Sequence, residues 1–300
     1  MTITRTTTRI KNTWVHSIDG IDQNQPIYHD EHGDTFINVS AHCPEEFGAF
    51  RWIRVGSVLS KDTSNAKLAK SAAKFGSTVV SYIVYLAPHS IVGVNVCAKA
   101  TAGCVSGCLY SSNNGRYIST QLYRIARTLF WRYDRAGFVA RVDRELTGAK
   151  AKETRAAKRE SRDPRTIACR LNGTSDVLCR RYLELIDSHK DVRFYDYTAI
   201  FKRIRYAADR PNYDVTFSRK ETLENHQECE SALEHGANVA AVFSTTMYKQ
   251  VIADGHYRGT PIVDGDAHDL RLPEMDGRAS IIALKAKGDA RTDTSGFVIR

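Results

Sequence analysis

Three cysteines fall within twelve residues, in the segment Cys97-Ala-Lys-Ala-Thr-Ala-Gly-Cys104-Val-Ser-Gly-Cys108. Thiolates are the form in which cysteine ligates metals, and Gly103 and Gly107 allow the tight turns that aim three of them at one centre. Three ligands with no evident fourth suit an iron–sulfur cluster with one open iron, a 4Fe–4S cluster foremost, or a zinc ion with an open position. Two plainer readings stand beside these. The thiols are buried apolar residues, or they hold a structural zinc completed by His89 or a distant cysteine.

Other polar motifs each follow a short apolar run: Asn172-Gly-Thr-Ser-Asp176, Tyr195-Asp-Tyr-Thr198, Thr216-Phe-Ser-Arg219, Asp264-Gly-Asp266 with His268 and Asp269, and Lys285-Ala-Lys-Gly288. Alternate positions of an extended segment share a face, so Asp264 and Asp266 suit a divalent metal or a base with its orienter. Asp-Gly is equally an ordinary turn. Asp176 and Asp264 are candidate nucleophiles or bases, with Asp266 beside them. Ser218 and Arg219 suit a ribose hydroxyl and a carboxylate or phosphate, although Ser218 ahead of Glu221 also spells a helix capping box. Lys285 would neutralise a phosphate or substrate carboxylate, or else face solvent.

These motifs need elements to hold them. Residues 78–87 are rich in β-branched and aromatic side chains, as a buried strand requires. A helix follows from about Ile118, where Ile118, Leu122, Ile125 and Leu129 share one face, and a second spans Ala136 to Glu160. After Pro164, strand candidates recur at 166–171, 192–197, 213–217, 238–243, 261–263 and 280–284, separated by helical segments. This alternation predicts an α/β fold with parallel strands, and a complete or partial TIM-like barrel places all the strand-end motifs on one face. Residues 1–66 read as a tail and β-rich extension, and 67–300 as the βα domain.

The chain has 300 residues, a net charge of +9 and seven cysteines. An odd, scattered set of cysteines is unlike the disulfide framework of a small secreted domain. No apolar run reaches the span of about 20 residues that a membrane helix needs, and the Thr- and Arg-rich start has no signal-peptide core. A cytoplasmic protein with no membrane partner is therefore expected. The positive charge favours a nucleic-acid or nucleotide partner, although much of it lies in the run from Lys150 to Arg165, which reads equally as a solvated helix face.

The cysteine loop followed by Leu109-Tyr110, the segment Arg170 to Asp176, Tyr195 to Thr198, and Asp264-Gly-Asp266 together resemble the phage gene product 88 family. That resemblance spans roughly 86 to 297 and implies a viral or mobile-element origin, hence a host-cell cytoplasm, without implying a reaction. More distantly, the layout is similar to radical S-adenosylmethionine enzymes. By that likeness Cys97, Cys104 and Cys108 hold the cluster, while Gly173, Thr174, Ser175 and Asp176 stand where a Gly-rich acidic motif binds the methionine amine. The cysteine spacing here is six and three residues rather than three and two, and the acidic motif is not Gly-Gly-Glu. The expected activity is an iron–sulfur enzyme, S-adenosylmethionine its co-substrate, acting on a nucleotide or nucleic acid. The alternatives are a zinc-containing, nucleobase-modifying or transglycosylase-like enzyme and a nucleic-acid-binding protein with a structural zinc.

Overall fold

The computed structural model describes residues 2–61, 78–111 and 113–300. The expected boundary between 66 and 67 lies outside the described residues.

Five antiparallel strands form a first sheet: β1 (Thr4–Ile10), β2 (Thr13–Asp19), β3 (Ile27–His29), β4 (Thr35–Asn38) and β5 (Trp52–Arg54), in the order β1-β2-β5-β4-β3. Lys11 and Asn12 turn the first hairpin at φ 45° and 61°, the left-handed pair that a two-residue hairpin needs to match strand twist. Val15, Ile37 and Ile53 point to one face and are fully buried against the helices described next.

The second sheet contains β6 (Leu59–Lys61), β7 (Val79–Val84), β8 (Thr166–Arg170), β9 (Arg193–Thr198), β10 (Tyr213–Ser218), β11 (Asn238–Phe243), β12 (His256–Tyr257), β13 (Thr260–Asp264), β14 (Ile281–Lys285) and β15 (Val298–Ile299). Its helices are α1 (Ala102–Ser106), α2 (Ile118–Tyr133), α3 (Arg135–Arg159), α4 (Arg180–Ser188), α5 (Lys202–Ala208), α6 (Leu223–Glu234), α7 (Thr245–Asp254) and α8 (Pro273–Asp276). Asp134 caps α3 by accepting from the Gly137 N–H at 2.8 Å. Phe138, Val142, Leu146 and Ala149 form its buried stripe at helical spacing. Glu145 of α3 holds the segment that enters β6, accepting from the Val58 and Leu59 N–H groups and the Ser57 hydroxyl. Among the described residues no helix is long and apolar enough to cross a membrane.

The expected TIM-like barrel, complete or partial, does not form. The sheet is open, in the order β12-β13-β14-β11-β10-β9-β8-β7-β6, with antiparallel β6 and β12 at its two edges and the strands between them parallel. Strands β7 to β11 advance one position at a time. Then β13 lies beyond β14, so the chain reverses direction to reach β14. Right-handed crossovers put the connections of advancing strands on one face and the connection of a reversing pair on the other. The packing agrees with this rule. Val80, Ile167, Cys169 and Phe194 pack with Leu122, Phe138 and Leu185 of the helices. Their alternates Ile83, Ala168 and Tyr195 instead pack with Leu270 and Leu272 from the β13–β14 connection. The face that closure would have buried is covered by that connection. Strand–helix alternation is common to open and closed sheets, which is why it misleads about closure.

Candidate metal centre at the carboxyl ends of the strands

Cys97 ends the loop that leaves β7. Its backbone forms a parallel bridge with Asp176, and the Asp176 N–H donates to the Val96 carbonyl at 2.8 Å. The loop after β8 therefore holds the loop after β7. Gly173 fits only because it has no side chain: a Cβ there would lie 2.7 Å from the Val84 carbonyl and 2.8 Å from the Tyr85 ring. Thr174 donates to the Leu86 carbonyl, and the Ser175 hydroxyl donates to Asn172. The Asp176 carboxylate accepts from the Thr198 hydroxyl (2.9 Å) and the Ala199 N–H (2.8 Å), and it pairs with buried Arg203 at 3.2 Å.

Cys104 sits on α1. Thr101 caps this short helix by accepting from the Cys104 N–H, and it donates its proton to Glu221 at 2.7 Å. The other Glu221 oxygen accepts from the Gly103 N–H at 2.8 Å. Gly103 packs so closely on Ser295 and Phe297 that an added Cβ would stand 2.7 Å from that of Phe297. Cys104 joins Ala286, Ala290, Phe297 and Val298 in an apolar cluster. The loop after β7 is thus clamped by residues after β8, β10 and β14.

Two of the three sulfurs receive an N–H hydrogen bond. The His89 N–H donates to Cys97 Sγ at 3.2 Å and the Lys220 ammonium to Cys104 Sγ at 3.0 Å. Burial pushes the Cys97 thiol up to about 11, opposed by the His89 hydrogen bond. Burial also raises Cys108, opposed by the Tyr110 N–H and the charges of Arg124 and Lys220. The thiols feel one another, since Cys104 and Cys108 both act on Cys97. Arg124 lies 5.2 Å from the Tyr85 ring and 5.7 Å from the Tyr110 ring. Its buried Nη1 and the buried Tyr110 hydroxyl have no hydrogen-bond partner among the described residues. Among the described residues neither Lys220 nor Arg124 forms an ion pair, although the Lys220 charge, with the Thr101 and Gly103 hydrogen bonds, helps hold neighbouring Glu221 down against its burial. No three His, Cys, Asp or Glu side chains among the described residues are grouped closely enough for a single metal ion.

The remaining candidates gather farther along the same edge. Asp264 accepts from the N–H groups of Asp266 and Ala267 and from the Tyr248 hydroxyl. Asp266 pairs with Lys287 at 2.7 Å and accepts from the Lys285 N–H. The Lys285 ammonium stands 6.0 Å over the Tyr248 ring. Arg219 donates to the carbonyls of Gly296 and Phe297. Ser218 is not a cap: α6 is capped by Thr222, and the Asn225 side chain donates to the Ser218 carbonyl. His268 is buried with Arg271 and Asp276, and Asp269 lies 4.0 Å from Arg170. In the basic run, Lys150 pairs with Asp191, Arg159 with Glu160, and Arg162 and Arg165 with Glu153. Cys169 and Cys229 are buried within the fold, Cys179 precedes α4, and all seven cysteines are free.

Sequence reasoning missed Lys220, Glu221 and Arg124. The first two directly follow the Ser218-Arg219 pair it had selected. Arg124 is hidden beside the apolar stripe of α2.

Fold and site together define an open α/β protein that presents three thiols, two of them hydrogen-bonded, at the carboxyl edge of its parallel strands. The model of the gene product 88 family matches residues 57–300, and the chain belongs to that phage protein family. The match begins between β5 and β6, so it takes in the second sheet and leaves out the first. No curated protein and no solved structure matches the chain. The likeness to radical S-adenosylmethionine enzymes gains nothing from these comparisons.

Proposed function

We propose that this protein is an iron–sulfur enzyme whose cluster is held by Cys97, Cys104 and Cys108. The observation that carries this reading is three thiols brought to one loop, with N–H donors on the Cys97 and Cys104 sulfurs and the charges of Lys220 and Arg124 beside them. N–H groups on ligating sulfurs stabilise thiolate charge and tune a cluster's potential. Lys220 and Arg124 offset the negative charge of three thiolates. The raised thiols stay protonated until a cation displaces their protons, so loading releases protons. Glu221 and Thr101 fix the loop, and the segment Gly173 to Asp176 acts through the backbone of Cys97.

When bound, such a cluster supplies one-electron chemistry and, with three protein ligands, one iron open to a small molecule. S-adenosylmethionine is the co-substrate we assign to that position. The net charge of +9 supports a nucleotide or nucleic-acid substrate. A zinc ion, at about 2.3 Å from each sulfur, would require the thiols to draw closer together.

The test is anaerobic reconstitution with iron and sulfide, followed by metal and sulfide analysis and electron paramagnetic resonance of the reduced protein. Iron with equimolar sulfide, lost for the most part in Cys104→Ser, is the expected result. A change in the resonance on adding S-adenosylmethionine would support the co-substrate. Zinc without sulfide, or full iron content in Cys104→Ser, would overturn the assignment.

A further inference from the structure

A cavity of about 510 Å³ lies between the first sheet and α2, with no residue of the cysteine loop in its lining. Thr7, Trp14, His16, Arg54, Tyr123 and Arg127 line it, together with residues 55–57 and Ala126. Its size falls in the range of small-molecule sites, about 300–1,000 Å³. No lining residue is a carboxylate, although Asp34 pairs with Arg54 and the Glu145 charge acts on Arg127 behind the lining. Arg54 gives one Nη to Asp34, and Arg127 gives Nε and Nη2 to the Ser57 carbonyl. Among the described residues, the Nη1 of each guanidinium has no hydrogen-bond partner. Burial and the charges of Arg5 and Arg54 hold His16 down at about 4, so its ring is neutral at pH 7, and it shares a hydrogen bond with Thr7.

Trp14 gives the ligand its second attribute. Its side chain is a large apolar group left 53% exposed, whereas Trp52 and Trp131 are buried. Arg9 sits 5.8 Å from its ring, and the Trp14 N–H is fixed on the Tyr123 hydroxyl. Arg54 is paired with Asp34 at 2.8 Å and Arg127 feels the Glu145 charge, but each keeps an Nη1 without a hydrogen-bond partner among the described residues. A half-exposed indole beside such groups is a platform for an aromatic ring that carries negative charge. We propose that this cavity binds a nucleoside phosphate, its base stacked on Trp14 and its phosphate held by Arg54 and Arg127. The ligand is either a free nucleotide or one unit of a single strand that also crosses Arg5, Arg9 and Lys11 of the exposed first hairpin. The site stands independently of any cluster at the cysteines.

Isothermal titration and Trp14 fluorescence with adenosine monophosphate and with a short single-stranded DNA test it. Saturable binding is expected, weakened about tenfold in Trp14→Ala, the usual scale for loss of one stacked base, and to a similar degree in Arg127→Gln. A DNA affinity far above that of the mononucleotide identifies the strand as the source, and equal affinities identify the free nucleotide. Because Trp14 is exposed, its variant should fold, and circular dichroism checks this. Absence of saturable binding for both probes, or full affinity in the folded Trp14→Ala protein, overturns the proposal.

Discussion

Cys104, after β7, and Asp264, at the end of β13, stand on the same edge of one sheet, yet their polar atoms are differently committed. The Asp264 carboxylate accepts from two backbone N–H groups and a tyrosine, and Asp266 beside it is paired with Lys287. These acids build a turn. The Cys97 and Cys104 thiols accept one N–H each, and the three thiols face two cations, Lys220 and Arg124, that form no ion pair among the described residues. The difference teaches that polar density at strand ends is not itself a site. What marks a site is the charge left over once the fold has satisfied its own donors and acceptors.

Asp176 is the hardest test of this division, because it belongs to the edge but acts through the fold. Removing its carboxylate leaves buried Arg203 with the Val177 carbonyl and, among the described residues, Asp196 at 3.7 Å as its remaining carboxylate. Asp176→Ala is therefore expected to cost about 3–5 kcal/mol, as when one member of a buried pair is lost. It should also loosen Cys97 and lower iron content. An unchanged urea midpoint would show that the clasp is not structural.

At the opposite end of the strands, Glu153 supplies a contrast in which charge serves stability alone. Arg165 and Arg162 hold its carboxylate down at about 2 from 4.5. The folded pKa is depressed, so the stabilisation is present above pH 4.5 and is lost as pH falls toward 2. The shift corresponds to about 3 kcal/mol. Acid unfolding of Glu153→Gln should lack that part of the pH dependence. If the two proteins show the same slope of stability between pH 4.5 and 2, Glu153 does not hold the α3 terminus.

Gly103→Ala should cost about 1–3 kcal/mol, since a Cβ must displace Phe297 or Ser295. The sharper readout is alkylation of Cys104, expected to quicken as the loop lifts. Asp264→Asn is the mildest change, about 1 kcal/mol for weakened hydrogen bonds, and iron content should be unaffected. Loss of iron in Asp264→Asn would erase the distinction between the two parts of the edge.

Much of the second sheet is legible in the sequence because β8, β9, β10, β11 and β14 are short segments rich in apolar, aromatic or β-branched residues, and α2 and α3 carry stripes at helical spacing. Closure was not legible. It depends on which strands meet across the sheet, and the reversal of β13 and β14 leaves no trace in the composition of either strand. The cysteines were visible by type and spacing. Their donors were not, because one is a backbone N–H, which every residue but proline carries, and the other is one lysine among many. Arg124 was obscured by the apolar residues around it, and Trp14 by a stretch without periodicity.

The packing of Gly103 against Ser295 and Phe297 also sets an order in time. Synthesis is vectorial, so the cysteine loop leaves the ribosome long before the residues that clamp it. Glu221 can dock the loop once β10 exists, but the wall behind Gly103 arrives only with the segment just before β15. During that interval the thiols are open to oxidants and stray metals. The loop is among the first parts of the second sheet to be made and among the last to be finished. Faithful maturation therefore depends on the loop remaining reduced until Phe297 seats.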